Sequence, residues 1–335
     1  MGNQIRTLDL RGKRLSAVEI RDLLPRASLD IDQAAHQIRP MIDDIKSRGL
    51  AAVIEISQKF DGFNPEPIFV AQKEIDDAVA QLDSSLRSAI EESIERVSKV
   101  SRATMPSNVA VSLGDGAEVS QRWRPVESVG LYVPGGRAVY PSSVIMNVVP
   151  AQVAGVKRLV VATPGQKDFG GRPHPTVLAT AGLLGITDVI NIGGPAAIAA
   201  FAYGLPQVKL EPVDMATGPG NIYVAAAKRV LRGTIGIDSE AGTTEILVLA
   251  DETANARLIA FDLISQAEHD SAAASILVTN SEKLIASVSA ELGKLSQSTF
   301  HAERVTAALS GQQSALVLVD DLDQAIDVSN AYATR

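Results

Sequence analysis

The sequence predicts an α/β protein: two doubly wound, parallel-sheet units of the incomplete Rossmann-like kind, preceded by an N-terminal helical arm. Three observations carry the prediction. Beyond about residue 125, short apolar runs of strand length alternate with segments of helix length, the pattern of parallel strands joined by right-handed crossovers. Glycines cluster where strands hand over to helices, at Gly135-Gly136 and Gly218-Pro219-Gly220. The chain has 335 residues, 46% apolar and 21% charged, enough for two or three globular domains at roughly 150 residues each. The expected division is an arm over residues 1–108, a first Rossmann-like domain with an entry hairpin over 109–235, and a second Rossmann-like domain over 236–335.

The arm reads as helical. Ile75, Val79, Leu82, Leu86, Ile90, Ile94, Val97 and Val100 recur at spacings of three and four, one apolar face of a long helix. An earlier helical stretch spans residues 30–59, with Gly49 lowering its propensity. Over residues 109–133 the pattern turns to short alternating runs broken at Gly114-Asp115-Gly116, a hairpin signal. VGLYVP, RLVVATP and DVINIGG then read as strands. SSVIMNVVPAQVAGV, PTVLATAGLLGI, PAAIAAFAYG and NIYVAAAKRVL read as helices, with a kink or break expected at Pro150. A second set follows: strands EILVLAD, ASILVTN and SALVLVD, a helix through SQAEHD, and helices SEKLIASVSAELGKL and DLDQAIDVSNAYA.

Composition removes several classes of function. A net charge of −8 argues against a nucleic-acid binder, whose footprint is basic. The absence of cysteine excludes disulfides, thiolate nucleophiles and sulfur-ligated zinc. Any zinc would need His, Gln or carboxylate ligands, and there are only four histidines. No apolar run is long enough for a membrane span, and MGNQIRTLDLRG lacks a signal-peptide core, so the expected location is the cytoplasm.

Four segments could carry chemistry. Gly218-Pro219-Gly220-Asn221 leads straight into IYVAAAKR. It is either a tight turn with an N-cap or a place where a ligand approaches backbone N–H groups at the positive end of a helix; Tyr223 stands where a full dinucleotide fingerprint has its third glycine. Tyr132-Val133-Pro134-Gly135-Gly136-Arg137 ends a strand, where open α/β sheets place ligands, and reads equally as a turn with a core tyrosine. In Ser265-Gln266-Ala267-Glu268-His269-Asp270, Gln266 and His269 share a helical face one turn beyond Asp262, part of an oxygen and nitrogen metal site or a helix end with a capping histidine. Ala241-Gly242-Thr243-Thr244-Glu245 offers hydroxyls and a carboxylate before a strand, as a plain turn also does. His36, His174 and His301 carry no assigned role.

Three long stretches in order, VGLYVPGGRAVYPSSVIMNVVPAQVAGV, DMATGPGNIYVAAAKR and DLISQAEHD, closely resemble the histidinol dehydrogenase family, in its actinobacterial form. The likeness begins at Asp9-Leu10-Arg11-Gly12 and covers nearly the whole chain. It implies a homodimer that oxidises L-histidinol to the aldehyde and then to L-histidine, with two NAD per turnover and a zinc ion that orients the substrate. Tyr132 and Asn221 match positions that contact NAD. Gln266 and His269 match two of four zinc ligands and touch substrate, and Thr244 matches a substrate-binding position. With no thiol available, the second oxidation is expected to proceed from a hydrate formed by a general base. The family's catalytic Glu-His pair would follow Thr334, where this chain has Arg335. It matches nothing in residues 1–335, and neither do the other zinc ligands, so no catalytic residue is assigned and the chain alone is expected to be inactive. The alternative is a non-catalytic chain, either a truncated remnant or a dimerising protein that binds NAD weakly. Gly193-Gly194-Pro195-Ala196 replaces the family's Gly-Gly-Ala-Gln, whose Gln contacts NAD, and Thr243 replaces a common Pro.

Overall fold

The computed structural model describes residues 5–26, 31–135, 139–240 and 244–334. It divides into two compact units: Asp30–Ala241, and Met1–Leu29 together with Gly242–Arg335. The first 108 residues are therefore shared between the units and form no separate arm. The reason is apolar surface, since each unit uses N-terminal residues to cover its own sheet.

In the first unit, five parallel strands lie in the order Val189–Ile190, Arg158–Ala162, Ser128–Tyr132, Met215–Thr217, Gly236–Ile237. The earliest strand is central. The chain winds outward to one edge, returns, and winds outward to the other, which is the doubly wound topology. Helices Pro141–Ala154 and Pro175–Leu183 pack with Ser84–Ala103 and Gln72–Ala80 into one core. Helices Gly194–Tyr203 and Ile222–Leu231 pack with Ile31–Arg48 into a second. Ile31–Arg48 turns Ala34, Ile38, Ile42 and Ile45 inward at helical spacing.

Several elements differ from expectation. The long apolar stripe runs over two helices, Gln72–Ala80 and Ser84–Ala103, because Asp83 accepts from the N–H groups of Ser85 and Leu86 and starts a new helix. The stretch over residues 30–59 is likewise two helices, Ile31–Arg48 and Leu50–Phe60, separated by Gly49 at φ 58°. Pro150 does not end its helix, which is continuous over Pro141–Ala154. The carbonyl deprived of its partner belongs to Met146, on the solvent side at 60% exposure. The hairpin forms as expected, Val109–Gly114 pairing antiparallel with Ala117–Gln121 about Asp115-Gly116, and all of its strand residues are exposed.

The second unit has four parallel strands in the order Arg6–Asp9, Ala315–Leu318, Ala274–Thr279, Glu245–Leu249. Helices Ala256–Ala267, Glu282–Leu295 and Ala302–Ser310 close one core with this sheet, and Ala17–Leu23 and Leu322–Tyr332 another. Arg6–Asp9 thus belongs to the sheet farthest from it in sequence. Among the described residues, no helix is long and apolar enough to cross a membrane.

Candidate functional site

The first site is the carboxyl edge of the five-stranded sheet. Winding direction reverses between the neighbouring strands Ser128–Tyr132 and Met215–Thr217, and open α/β sheets bind ligands in the crevice at that reversal. Both glycine-bearing segments leave the sheet there, although Gly136 and Arg137 lie outside the described residues. Gly218 has φ +116°, and a Cβ on it would stand 2.0 Å from the Tyr132 carbonyl oxygen. Only glycine lets this turn lie against the neighbouring strand end.

Asn221 caps the helix that follows. Its Oδ1 accepts from Tyr223 N at 3.0 Å and Val224 N at 3.2 Å, and Nδ2 has no partner among the described residues. Tyr132 is 4% exposed, and its hydroxyl accepts from Gly194 N at 3.0 Å. Burial drives its pKa up to about 12; the Gly194 hydrogen bond opposes the shift and the Asp61 carboxylate adds to it. Burial also raises the pKa of Asp61. Tyr132 therefore links the central strand to the start of helix Gly194–Tyr203, whose first turn holds the buried Ala196. A cleft of about 370 Å³ opens beside the turn, lined by Ser142, Ser143, Asn147, Gly218 and Asp238.

The second site lies at the opposite, amino edge of the four-stranded sheet. Helix Ala256–Ala267 starts beyond the carboxyl end of Glu245–Leu249 and runs back, so its last turn meets the residue preceding that strand. There Gln266 Nε2 donates to Thr244 Oγ1 at 2.6 Å. With the amide nitrogen engaged, the amide oxygen is the atom left to ligate. The helix expected through SQAEHD ends at Ala267, so His269 is not on a helical face with Gln266. It is exposed in the following turn, its N–H donating to the Gln266 carbonyl at 3.2 Å. The carbonyls of the last turn accept from this loop, and the i, i+3 spacing survives as a turn. Asp262 is exposed on the same helix. An amide oxygen and an imidazole are fitting zinc donors, half of a four-donor set; among the described residues no group of three or more His, Asp or Glu could hold a metal ion. Ala241, Gly242 and Thr243 lie outside the described residues.

His174 is structural: Nδ1 accepts from Thr176 N at 3.1 Å, its ring meets Phe169 edge-on, and burial lowers its pKa. Sequence reasoning missed two charged groups. Lys228 is 2% exposed within helix Ile222–Leu231 and pairs with Asp238 at 2.6 Å. Its signal was a lysine in register with the buried Val224 and Leu231. Arg26 pairs with Glu245 at 3.1 Å, donates to the Tyr332 carbonyl at 2.7 Å and lies over the Tyr332 ring. Nothing local marks that cluster, which joins three distant segments.

Parallel sheets clad in helices, with a glycine turn and helix start at the strand reversal, define a Rossmann-like enzyme scaffold of the kind that holds dinucleotides. The sequence profile of the histidinol dehydrogenase family matches residues 24–335. The chain is 55% identical over 328 residues to the histidinol dehydrogenase of Leifsonia xyli subsp. xyli, covering 98% of this chain and 75% of that protein. It is 52% identical over 335 residues to that of Mycolicibacterium smegmatis, covering 99% and 75%. The crystal structure of histidinol dehydrogenase from Elizabethkingia anophelis superposes with a TM-score of 0.89 at 30% identity, over 99% of this chain and 75% of that one. The chain belongs to the histidinol dehydrogenase family, oxidoreductases of histidine biosynthesis.

Proposed function

We propose that the five-stranded unit holds NAD at its carboxyl edge, against Tyr132 and Asn221, for the stepwise oxidation of L-histidinol to the aldehyde and on to L-histidine. We propose further that Gln266 and His269 contribute two donors to a zinc site and that Thr244, Gln266 and His269 meet the substrate, in a homodimer. The observation that carries the reading is the turn at the strand reversal, where Gly218 lies on the Tyr132 carbonyl and Asn221 caps the next helix.

The chain's own contribution there is binding and orientation. The N–H groups of Gly220, Asn221 and Ile222 have no acceptor among the described residues, and they stand at the positive end of a helix, where phosphate oxygens are favoured. Asn221 Nδ2 adds a side-chain donor. Tyr132 is too deeply buried to lie along a cofactor with its ring face, so its role is to seat the turn of Gly194 and to offer the edge of its hydroxyl. At the other site Thr244 holds the Gln266 amide by its nitrogen, which leaves the oxygen as the atom to ligate. Bound zinc would supply a fixed positive charge for aligning the substrate's polar groups. No residue of 1–335 is assigned as the general base.

Calorimetric titration of the chain with NAD tests the reading. Binding is expected, and Asn221→Ala should weaken it about tenfold, the worth of one hydrogen bond at a charged group. NAD binding indifferent to Asn221→Ala would remove the turn from the cofactor site. NADH formed from L-histidinol by these 335 residues alone would place a general base among them, against the assignment made here.

A further inference from the structure

Lys228 is an expensive residue to keep where it is. A lysine ammonium withdrawn from water costs several kcal/mol unless it is paired, and apolar side chains of similar volume commonly replace such pairs without loss of stability. Its neighbours on the helix face, Val224 and Leu231, are apolar and buried. Stability alone would be served by apolar side chains in place of the whole pair.

The contacts show what the charge holds. Lys228 Nζ donates to the Gly218 carbonyl at 2.5 Å and to Asp238 Oδ1 at 2.6 Å. The other oxygen of the same carboxylate, Asp238 Oδ2, accepts from Gly218 N at 2.9 Å. The two peptide groups flanking the Gly218 Cα are thus gripped at once, one by each partner of an ion pair. Asp238 is itself fixed, because Oδ1 also accepts from Ser239 N at 2.7 Å. Gly218 is the residue at φ +116°. Glycine reaches that conformation freely but does not select it, so something else must choose it among the many open to the turn.

We propose that Lys228 and Asp238 are positioning residues for the cofactor turn: they lock the peptides about Gly218 so that the N–H groups of Gly220, Asn221 and Ile222 are presented together to the phosphates of a dinucleotide. The inference rests on the NAD reading above and goes beyond it, since neither side chain needs to touch the ligand. The pair acts through geometry. The two charges compensate one another, so the turn gains little net field from the lysine.

That distinction decides the experiment. Asp238→Asn removes the negative partner and leaves an uncompensated cation beside the turn. If the lysine worked by attracting phosphate, the variant would bind NAD more tightly; if the pair works by holding the turn, it binds more weakly. We expect Asp238→Asn and Lys228→Met each to weaken NAD binding about tenfold or more by calorimetry, the scale of a lost charge-assisted hydrogen bond. Exchange of the Gly218 amide, whose N–H Asp238 holds, should quicken in both while the remaining strands of the sheet keep their protection.

Tighter binding in Asp238→Asn, or unchanged binding in both variants, overturns the proposal. Asp238 is 34% exposed, so Asp238→Asn carries the test by itself should Lys228→Met not fold. Asn221→Ala separates the two levels of the argument. If it weakens NAD binding while the pair's variants do not, this inference fails alone. If the unsubstituted chain binds no NAD, the cofactor reading fails and takes this inference with it.

Discussion

The two units share an architecture and place their candidate sites in opposite ways. In the five-stranded unit the site is made of backbone at the carboxyl edge, where the winding direction reverses and two strand ends, a glycine turn and a helix start converge. In the four-stranded unit it is made of side chains at the amino edge, where a helix end returns to the start of a strand and Gln266 meets Thr244. The rule that ligands sit at the carboxyl edge of an open α/β sheet finds the first and would pass over the second. A backbone site depends on conformations that few residues permit; a side-chain site depends on anchoring the segments that carry it. The two should fail differently when altered.

The largest effect is expected from Gly218→Ala. The new Cβ would stand 2.0 Å from the Tyr132 carbonyl oxygen in a conformation that L side chains rarely adopt, at a cost of about 4 kcal/mol, within the range of strain and overpacking. Urea unfolding reads it. A loss under about 1 kcal/mol, the scale of an ordinary surface change, would mean that the turn yields, and the contrast between a rigid backbone site and an anchored side-chain site would fall.

Arg26→Met sharpens the other side. It takes the arginine from Glu245, whose side chain is 6% exposed, and from the Tyr332 carbonyl. Breaking a largely buried pair from one side is expected to cost about 2–3 kcal/mol. The loss should show as faster amide exchange in Glu245–Leu249 and Leu322–Tyr332, with the strands Ser128–Tyr132 and Arg158–Ala162 unchanged. Equal loosening of both sheets would deny the units their separate stabilities.

The smallest effect concerns Tyr132. Its pKa, raised from the ordinary 10.0 to about 12 by burial first, means the fold prefers the neutral phenol. That contribution is complete below about pH 10 and is lost as pH rises toward 12. Tyr132→Phe should cost about 1 kcal/mol at neutral pH, because Gly194 N loses its acceptor. It should also flatten the fall in stability between pH 9 and 11.5, followed by urea unfolding at each pH. An unchanged slope would place the titrating group elsewhere, Tyr332 being the other phenol pushed upward by burial.

Much of this was legible in the chain itself. Strand and helix periods, the Asp115-Gly116 hairpin, and the run of Gly218-Pro219-Gly220 into a helix each follow from a few neighbouring residues. Local reasoning failed where the cause was distant or a single side chain overrode a period. Asp83 cut a helix whose apolar spacing continues smoothly across it. His269 left its helix because Ala267 ends it. Arg6–Asp9 pairs with Ala315–Leu318, three hundred residues away, and nothing in four residues announces a partner so remote.

The sequence by itself determined the class of fold and the family, because alternation, glycine placement and long ordered motifs are properties of local order along the chain. Only the tertiary structure decided which N-terminal residues serve which sheet, that Lys228 and Asp238 grip Gly218 from both sides, and that the Gln266 amide is turned by Thr244. Those are facts of distance between segments. They are set by which apolar faces must be buried together and which charges must then be paired, and neither can be read from a residue and its neighbours alone.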